Sequence, residues 1–295
     1  MKKTGFIALV GRPNVGKSTL LNAILGEKIA IVSKKPQTTR NRITGIHTVG
    51  ENQFVFLDTP GMHKPRTRLG DFMVKIVSNT LGGVDSAILV VEAREEVGDI
   101  EAQIISRLKA DKLPAILVIN KIDTVRPANI AKTIAAYSEA YDFDAVVPIA
   151  AKNGKGVDIV IKECERYLNE SDWFFDEDMI TDQPEKQVAA EIIREKLLKT
   201  LDEEIPHGTA VTIEEWKESD TMVSIRAEIY CEKASHKGII IGKGASSIKK
   251  IGMYAREDIE RMLDTKVFLD LYVRVKENWR DSDFNIQNFG FKEEE

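Results

Sequence analysis

The residues from Gly11 to Ser18 match the pattern G-x-x-x-x-G-K-[ST]. They follow the apolar run Phe6–Val10 and precede a helical pattern from Thr19 to Leu25. Glycines in such a loop let backbone N–H groups converge on an anion, and the helix N-terminus adds its positive end. The lysine would reach the outer phosphates of a nucleotide, and the last serine would offer a hydroxyl to Mg²⁺. The sequence therefore predicts a nucleoside triphosphate site with these contact residues: Gly11, Arg12, Pro13, Asn14, Val15, Gly16, Lys17 and Ser18.

A second motif, Asn120-Lys121-Ile122-Asp123, follows the apolar run Ala115–Ile119 and predicts which base is bound. The carboxylate of Asp123 can accept hydrogen bonds from both N1–H and the N2 amino group of guanine, whereas adenine carries no proton on N1. A buried pair of this kind rejects the wrong base by as much as ~10⁴- to 10⁵-fold. Alone, the tetrapeptide is equally compatible with a turn or a helix start. Beside the phosphate loop it predicts GTP or GDP, with Asn120 and Lys121 holding the loop and covering the base.

The motif Asp58-Thr59-Pro60-Gly61 ends the apolar run Gln53–Leu57 and would serve the γ-phosphate end of the nucleotide. Asp58 would hold Mg²⁺, usually through a water, and the Gly61 N–H would contact the γ-phosphate. At this point the chain resembles the TRAFAC-class GTPases. The resemblance implies that Thr39, or alternatively Thr38, completes the metal shell. It implies that the catalytic residues are Lys17, Thr39, Asp58 and Gly61. It implies that the Mg²⁺ ligands are Ser18, Thr39 and Asp58.

Two positions depart from the pattern of that class. The fifth motif, Ser-Ala-Lys in the class, is Ala150-Ala151-Lys152 here, and the Ala151 N–H is expected to meet the guanine O6. Met62 stands where Ras-like proteins carry a glutamine that orients the attacking water, which a thioether cannot do. We therefore expect slow intrinsic hydrolysis. Asn14 together with Met62 resembles class members that use a potassium ion, which makes K⁺ a candidate ligand of Asn14.

The chain of 295 residues is longer than one hydrophobic core usually supports, so two domains are expected. Apolar runs alternate with helical segments over residues 1–168, which predicts an α/β domain with a mostly parallel sheet and helices on both faces. Buried strands are expected at Phe6–Val10, Gln53–Leu57, Ser86–Val91, Ala115–Ile119 and Val146–Ile149. Residues 169–185 carry seven acidic and no basic side chains. They are expected to be a linker whose aromatic residues pack on a neighbouring domain, with a binding role as the alternative.

Composition narrows the class of protein further. The chain is 43% hydrophobic and 30% charged, and it contains no apolar run near the ~20 residues that a membrane helix needs. Its two cysteines, Cys164 and Cys231, lie far apart without a companion His or Cys cluster, which argues against a disulfide framework or a zinc site. A reducing cytoplasm is the expected location. The net charge of −5 does not favour nucleic-acid binding unless basic residues are concentrated locally.

Residues 186–295 predict a smaller α+β domain with such a local concentration. The expected elements are a helix at Lys186–Leu201, strands at Thr209–Trp216 and Met222–Cys231, a helix at Ser246–Leu263 and a strand at Val267–Val275. Within residues 236–252, a strand-like apolar run leads into a glycine-rich turn and a helix. From residue 233 to residue 276 ten basic side chains face five acidic ones.

That segment resembles a KH domain with the type II order of elements. KH domains bind about four nucleotides of single-stranded RNA at a G-x-x-G loop. In the loop Gly242-Lys243-Gly244-Ala245, alanine replaces the last glycine and is expected to suit a first helical turn. The resemblance implies these RNA-binding residues: His236, Lys237, Gly238, Ile241, Gly242, Lys243, Gly244, Ala245, Lys249 and Lys250.

The two domains together, with Gln37–Arg40 and the stretch Val275–Arg280, resemble the Era family of GTPases over nearly the whole chain. The resemblance implies a monomer that binds the 3′ end of 16S ribosomal RNA, acts in assembly of the 30S subunit and associates in part with the inner face of the cell membrane. In the leading hypothesis GTP orders residues 37–42 and the segment after Gly61, which repositions the KH domain so that RNA affinity depends on the nucleotide. One alternative is a GTP-regulated RNA chaperone with negligible turnover. Another is a slow membrane-associated signalling switch with a vestigial KH fold.

Overall fold

A computed structural model describes residues 1–202 and 204–291, which form two compact units. The first unit comprises Met1–Pro65 and Gly70–Asp182. The second comprises Arg66–Leu69 and the described part of Gln183–Glu295. Among the described residues, no helix is both long and apolar enough to cross a bilayer.

The first unit is built around one seven-stranded sheet. Its strands are β1 (Lys3–Val10), β2 (Ile43–Val49), β3 (Asn52–Asp58), β4 (Ser86–Glu92), β5 (Ala115–Asn120), β6 (Ala145–Pro148) and β7 (Asn169–Glu170). Its helices are α1 (Lys17–Leu25), α2 (Arg68–Leu81), α3 (Asp99–Asp111), α4 (Pro127–Ala140) and α5 (Val157–Cys164). The spatial order is β2-β3-β1-β4-β5-β6, with β7 added beside β1. Only β2 and β7 run antiparallel to their neighbours, so the expected mostly parallel sheet is confirmed.

Both faces of this sheet are buried, because side chains alternate along each central strand and helices cover each face. In β1, Ile7 and Leu9 belong to a core formed with α1 and α5, whereas Ala8 and Val10 belong to a core formed with α2, α3 and α4. Burial on both sides explains why the central strands appear in the sequence as continuous apolar runs. The strand β2 was not among the expected elements, and it is an edge strand whose exposure increases toward Val49.

The acidic segment that was expected to be a linker lies against the first unit for most of its length. The strand β7 pairs with Lys3 and Thr4, and the Ile46 N–H donates to the Ile180 carbonyl at 2.9 Å. Two consecutive N–H groups, those of Phe174 and Phe175, donate to the Gln53 side-chain oxygen at 3.1 Å. Residues 169–182 therefore belong to the first compact unit.

The second unit contains α6 (Glu185–Thr200), β8 (Ala210–Ser219), β9 (Met222–Cys231), α7 (Ala234–Ile241), α8 (Ser246–Leu263), β10 (Lys266–Val275) and α9 (Asp283–Asn288). Its three strands lie in the order β10-β9-β8. The strands β8 and β9 form an antiparallel hairpin, and β9 and β10 run parallel. The helices α6, α7 and α8 contribute to a core with one face of this sheet.

The expectation of a strand-like run before the glycine turn is wrong. Residues Ala234–Ile241 form the helix α7 instead, and only Ile240 of its three consecutive isoleucines is fully buried. Parallel strands need a long crossover connection. Because β9 and β10 are parallel, α7 and α8 supply that crossover, and this tertiary requirement overrides the strand preference of isoleucine.

Candidate nucleotide site and nucleic-acid interface

The phosphate loop lies between β1 and α1 in a conformation that depends on two of its glycines. Gly11 and Gly16 have φ angles of 149° and 105°. A Cβ atom on Gly16 would lie 2.2 Å from Nδ2 of Asn120, and one on Gly11 would lie 2.3 Å from the Val90 carbonyl oxygen. Asn14 also has a positive φ of 66°, and its side-chain amide donates to the Lys34 carbonyl at 2.8 Å. No larger residue fits at either glycine without displacing a neighbouring strand or loop.

Lys17 is buried and bonded to the loop itself. Its Nζ donates to the carbonyl oxygens of Gly11 and Arg12 at 3.1 and 3.0 Å. Burial lowers the pKa of Lys17 to about 8, while the nearby Asp58 carboxylate opposes that shift. An ammonium group held in this way can exchange carbonyl oxygens for phosphate oxygens.

The three expected metal ligands converge in the structure. The Ser18 hydroxyl donates to Asp58 Oδ2 at 2.5 Å and lies 2.9 Å from the Thr39 hydroxyl. Burial raises the pKa of Asp58 to about 6, against the opposing effects of Lys17 and the two hydroxyls. Asp58 Oδ1 is buried and has no hydrogen-bond partner among the described residues. Two hydroxyls and a carboxylate with an unbonded oxygen fit Mg²⁺, which prefers oxygen ligands.

Of the two threonines considered for the metal shell, Thr39 lies at the site and Thr38 does not. The Thr38 hydroxyl donates to the Lys35 carbonyl at 2.7 Å and contacts the Ser33 hydroxyl at 2.8 Å. Residues 37–42 contain no helix or strand. The side chains of Gln37 and His63 approach each other within 3.4 Å. This contact joins the loop of residues 37–42 to the segment after Gly61.

Gly61 lies directly against the phosphate loop. A Cβ atom there would be 2.5 Å from the Pro13 nitrogen. The Met62 N–H donates to the Gly11 carbonyl at 3.1 Å, and the Thr59 hydroxyl donates to the Leu9 carbonyl at 2.7 Å. The backbone of residues 59–62 is thus held against β1 and the phosphate loop. The Met62 side chain packs against the core on the α2–α4 face of the sheet and offers no hydrogen-bonding group to a water.

Asn120 connects the motifs expected to surround the base. Its Nδ2 donates to the Val15 carbonyl at 2.9 Å, and its Oδ1 accepts from the N–H groups of Lys121 and Ala151 at 2.8 and 3.0 Å. Asn120 is 3% exposed, so these bonds are shielded from water. The side chain therefore joins the phosphate loop, the guanine motif and the fifth motif.

The remaining base-site residues are arranged around Asn120. Lys121 Nζ donates to the Asn14 carbonyl at 2.6 Å and forms an ion pair with Glu92 at the end of β4. Asp123 is exposed on a short 3₁₀ turn, Ile122–Thr124. Ala150 and Ala151 are buried, and Lys152 is exposed. The Ala151 N–H, expected at guanine O6, is bonded to Asn120 in this state, so contact with a base requires that bond to be shared or replaced.

The glycine-rich loop of the second unit joins α7 to α8. Of the candidate RNA-binding residues, His236, Lys237, Gly238 and Ile241 lie on α7, residues 242–245 form the turn, and Lys249 and Lys250 lie on α8. Ala245 has φ 61° and ψ 25°, so it is left-handed rather than part of the first helical turn. The expectation that alanine suits helical geometry there is therefore wrong. Ala245 precedes the helix, where the fold requires a conformation that favours glycine.

A groove of about 380 Å³ lies between α8 and β10, and most of its residues were not among the candidates. Its lining is Ile248, Lys249, Gly252, Met253, Arg256, Phe268, Leu269 and Leu271. Phe268 and Met253 are 58% and 45% exposed, which is high for large apolar side chains. Alternation along β10 predicts that Phe268 and Val267 lie on different faces of the sheet. The sequence did not show that β10 borders α8, so it did not predict the groove. The groove presents apolar surface beside two basic side chains.

Comparisons with known proteins agree with both units. A family described as "50S ribosome-binding GTPase" matches residues 6–121, and the KH domain family matches residues 204–280. GTPase Era of Ruminiclostridium cellulolyticum is 51% identical and GTPase Era of Clostridium acetobutylicum is 49% identical. These matches cover 98% and 99% of this chain, and equal shares of the relatives.

Two crystal structures are similar over the whole chain. An Aquifex aeolicus Era variant bound to GDP·AlF₄⁻ has a TM-score of 0.94 at 39% identity, covering 98% of this chain and 99% of that one. Era in complex with MgGDPNP and nucleotides 1506–1542 of 16S ribosomal RNA has a TM-score of 0.93 at 38% identity, covering 99% of each chain.

The fold and the converging motifs define a P-loop GTPase of mostly parallel α/β architecture that carries a C-terminal KH domain. Relatives about half identical over almost the full length narrow this class further. The chain belongs to the Era family of GTPases.

Proposed function

We propose that this protein is a GTP-dependent switch that binds the 3′ end of 16S ribosomal RNA through its KH domain and assists assembly of the 30S subunit. The observation that carries the proposal is the groove between α8 and β10, which combines exposed apolar side chains with Lys249 and Arg256. Single-stranded RNA is recognised through bases splayed onto such surfaces and phosphates held by basic groups. The similar Era structure with 16S ribosomal RNA nucleotides supports the choice of RNA.

For the GTPase reaction, we propose Lys17, Thr39, Asp58 and Gly61 as the catalytic residues. Lys17 would move from the Gly11 and Arg12 carbonyls to the β- and γ-phosphates. Ser18, Thr39 and Asp58 would hold Mg²⁺, which neutralises charge on the phosphate oxygens when bound. The Gly61 N–H would bind the γ-phosphate. Because Met62 cannot orient water, intrinsic turnover is slow.

Asn14 is proposed to hold a potassium ion. Its side-chain amide and the Lys34 carbonyl lie 2.8 Å apart, so two uncharged groups meet beside the phosphate loop. A rotated amide would present its oxygen next to that carbonyl. Faster hydrolysis in potassium than in sodium chloride at matched ionic strength supports this assignment, and equal rates contradict it.

The function is tested by RNA binding in each nucleotide state. A single-stranded RNA copying the 3′ end of 16S ribosomal RNA and a scrambled RNA are titrated with the protein bound to a GTP analogue or to GDP. We expect selective binding that is tighter in the GTP-analogue state. Equally weak binding in all four cases would contradict the RNA proposal and leave the GTPase activity intact.

A charge-reversal pair locates the RNA surface. Lys243→Glu and Lys249→Glu together should weaken RNA binding and reduce the salt slope by about one for each lost phosphate contact. Lys217→Glu on β8 is the matched control, because Lys217 is 71% exposed on the opposite edge strand of the same sheet. Equal RNA retention by both variants would favour the alternative, a slow membrane-associated signalling switch. Vesicle flotation tests that alternative directly.

A further inference from the structure

The β4–α3 region contains none of the five GTPase motifs, yet one of its side chains reaches the phosphate loop. Glu101 lies in the first turn of α3, and its Oε1 pairs with Nε of Arg12 at 2.6 Å. Glu101 is 1% exposed, whereas Arg12 is 19% exposed. A carboxylate buried to this degree is rarely found without a partner. The ion pair therefore connects the phosphate loop to the first turn of α3.

The surroundings of Glu101 leave room for the carboxylate, whose Oε2 has no hydrogen-bond partner among the described residues, so the ion pair through Oε1 is its main anchor. A Cβ atom on Gly98 would lie 2.7 Å from Glu101 Oε2, so the absence of a side chain at this position lets the carboxylate approach. The Tyr137 ring from α4 is fully buried nearby. Burial is the main cause that raises the pKa of the Tyr137 hydroxyl, and the charge of Glu101 adds to it, so the Tyr137 hydroxyl stays neutral. Arg12 forms the ion pair with the buried Glu101 carboxylate.

The backbone near Arg12 contacts two other parts of the nucleotide site. The carbonyl of Arg12 accepts from Lys17 Nζ at 3.0 Å. Pro13, the next residue, packs against Gly61, where even one added carbon would lie 2.5 Å from the Pro13 nitrogen. Lys17 and Gly61 are the two groups proposed to bind the γ-phosphate. A shift of the backbone at Arg12–Pro13 would displace both.

We propose that Glu101 is a positioning residue for GTP, which acts through Arg12 to hold the phosphate loop in register with Lys17 and Gly61. The inference rests on the roles proposed for those two residues. It predicts that Glu101 matters more for GTP than for GDP, because Gly61 would contact only the γ-phosphate. A residue that merely stabilised the fold would affect both nucleotides equally.

The test uses the full chain and compares Glu101→Gln, Glu101→Ala and a matched control, Asp99→Asn. Asp99 is an acidic residue in the same helical turn, but it is exposed. Glu101→Gln removes only the charge and keeps an oxygen that can accept from Arg12, so we expect kcat/KM to fall about 3- to 10-fold. Glu101→Ala removes the contact, and displacement of reacting groups by about 1 Å can cost on the order of 10²-fold.

Nucleotide selectivity separates positioning from stability. We expect Glu101→Ala to raise the Kd of a GTP analogue about 10-fold and that of GDP about 2-fold, with the Asp99→Asn values unchanged. Equal changes for both nucleotides, or values matching the control, would overturn the proposal. Where Glu101→Ala does not fold, Arg12→Met and Gly98→Ala test the same contact from its other sides and should give the same selectivity.

A reference variant, Lys17→Ala, distinguishes a wrong assignment of the nucleotide site from a wrong role for Glu101. Lys17→Ala should abolish tight GTP binding if the site is assigned correctly. If Lys17→Ala has no effect, the proposed nucleotide site itself is wrong. If Lys17→Ala is severe while the Glu101 and Arg12 variants behave like the control, only the role of Glu101 is refuted.

Discussion

Replacing Ala245 with glycine should stabilise the KH domain, although glycine inside a helix is destabilising, because Ala245 is the N-cap residue and lies before the first helical turn. Ala245 has φ 61° and ψ 25° immediately before α8. A left-handed conformation costs an L-residue roughly 1–2 kcal/mol. Against this, glycine raises the entropy of the unfolded chain, which costs about 0.4–1 kcal/mol. The midpoints of these two ranges differ by about 0.8 kcal/mol, so we expect a net stabilisation of about 0.5–1 kcal/mol.

Hydrogen exchange measures this effect without interference from the first unit. Amides of the buried face of α8, at Ile251, Ala255 and Ile259, report the opening of the second core. A gain of about 0.5–1 kcal/mol corresponds to about 2- to 5-fold slower exchange. Mass spectrometry of peptides that cover α8 provides the measurement, and the same variant should bind RNA at least as tightly as the natural sequence.

The neighbouring residue provides the control with the opposite sign. Ser246 has φ −64° and ψ −40°, which is ordinary helical geometry. Ser246→Gly should therefore destabilise the domain by roughly 0.5 kcal/mol, the difference in helix propensity between the two residues. If Ala245→Gly also accelerates exchange in α8, the alanine is not strained and the reasoning fails.

Three further outcomes are expected. Asn120→Ala removes three hydrogen bonds, two of them buried, and takes away the side-chain donor to the Val15 carbonyl. At about 1 kcal/mol per bond, both GTP and GDP affinity should fall on the order of 100-fold by calorimetry. Asn120→Asp keeps the two accepting contacts and should lose less. Gly61→Ala places a methyl group against the phosphate loop and should lower kcat with GDP affinity changed less than threefold. Cys164 and Cys231 are buried, and burial raises the pKa of each thiol, so alkylation at pH 8 should require unfolding; rapid labelling of the native protein would contradict the structure.

The sequence predicted those parts of the site that consist of consecutive residues, which are the contiguous motifs. The glycines, lysine and serine of a phosphate loop lie at fixed spacing within one short motif. The central strands are recognisable in the sequence because burial on both faces makes them uniformly apolar. The contacts that join the motifs are different in kind. Asn120 reaches Val15 across 105 positions, and Glu101 reaches Arg12 from a helix that carries no motif. Spacing along the chain cannot show such contacts, because they exist only once the sheet has brought strand ends together.

The helix α7 and the geometry of Ala245 were missed for a related reason. Isoleucine favours strands and alanine favours helices, so Ile239–Ile241 and Ala245 both suggested the wrong local structure. The parallel pairing of β9 with β10 requires helices in the connection, and the turn between those helices requires a left-handed residue before α8. Tertiary topology decided both positions against local preference.

The two alanines that replace family residues therefore have different consequences. Ala150 is buried, and its N–H donates to the Lys155 carbonyl at 3.0 Å, so the backbone itself holds the fifth motif where a serine hydroxyl is missing. The Ala245 N–H also donates to a backbone carbonyl, that of Gly242, at 3.1 Å, but this bond holds a residue with a positive φ and does not remove the cost of that angle. The guanine site should consequently retain its affinity, whereas the KH loop carries an avoidable conformational cost. If RNA binding by this protein proves weaker than that of its relatives, the cause lies at Ala245, and a single glycine should reverse it.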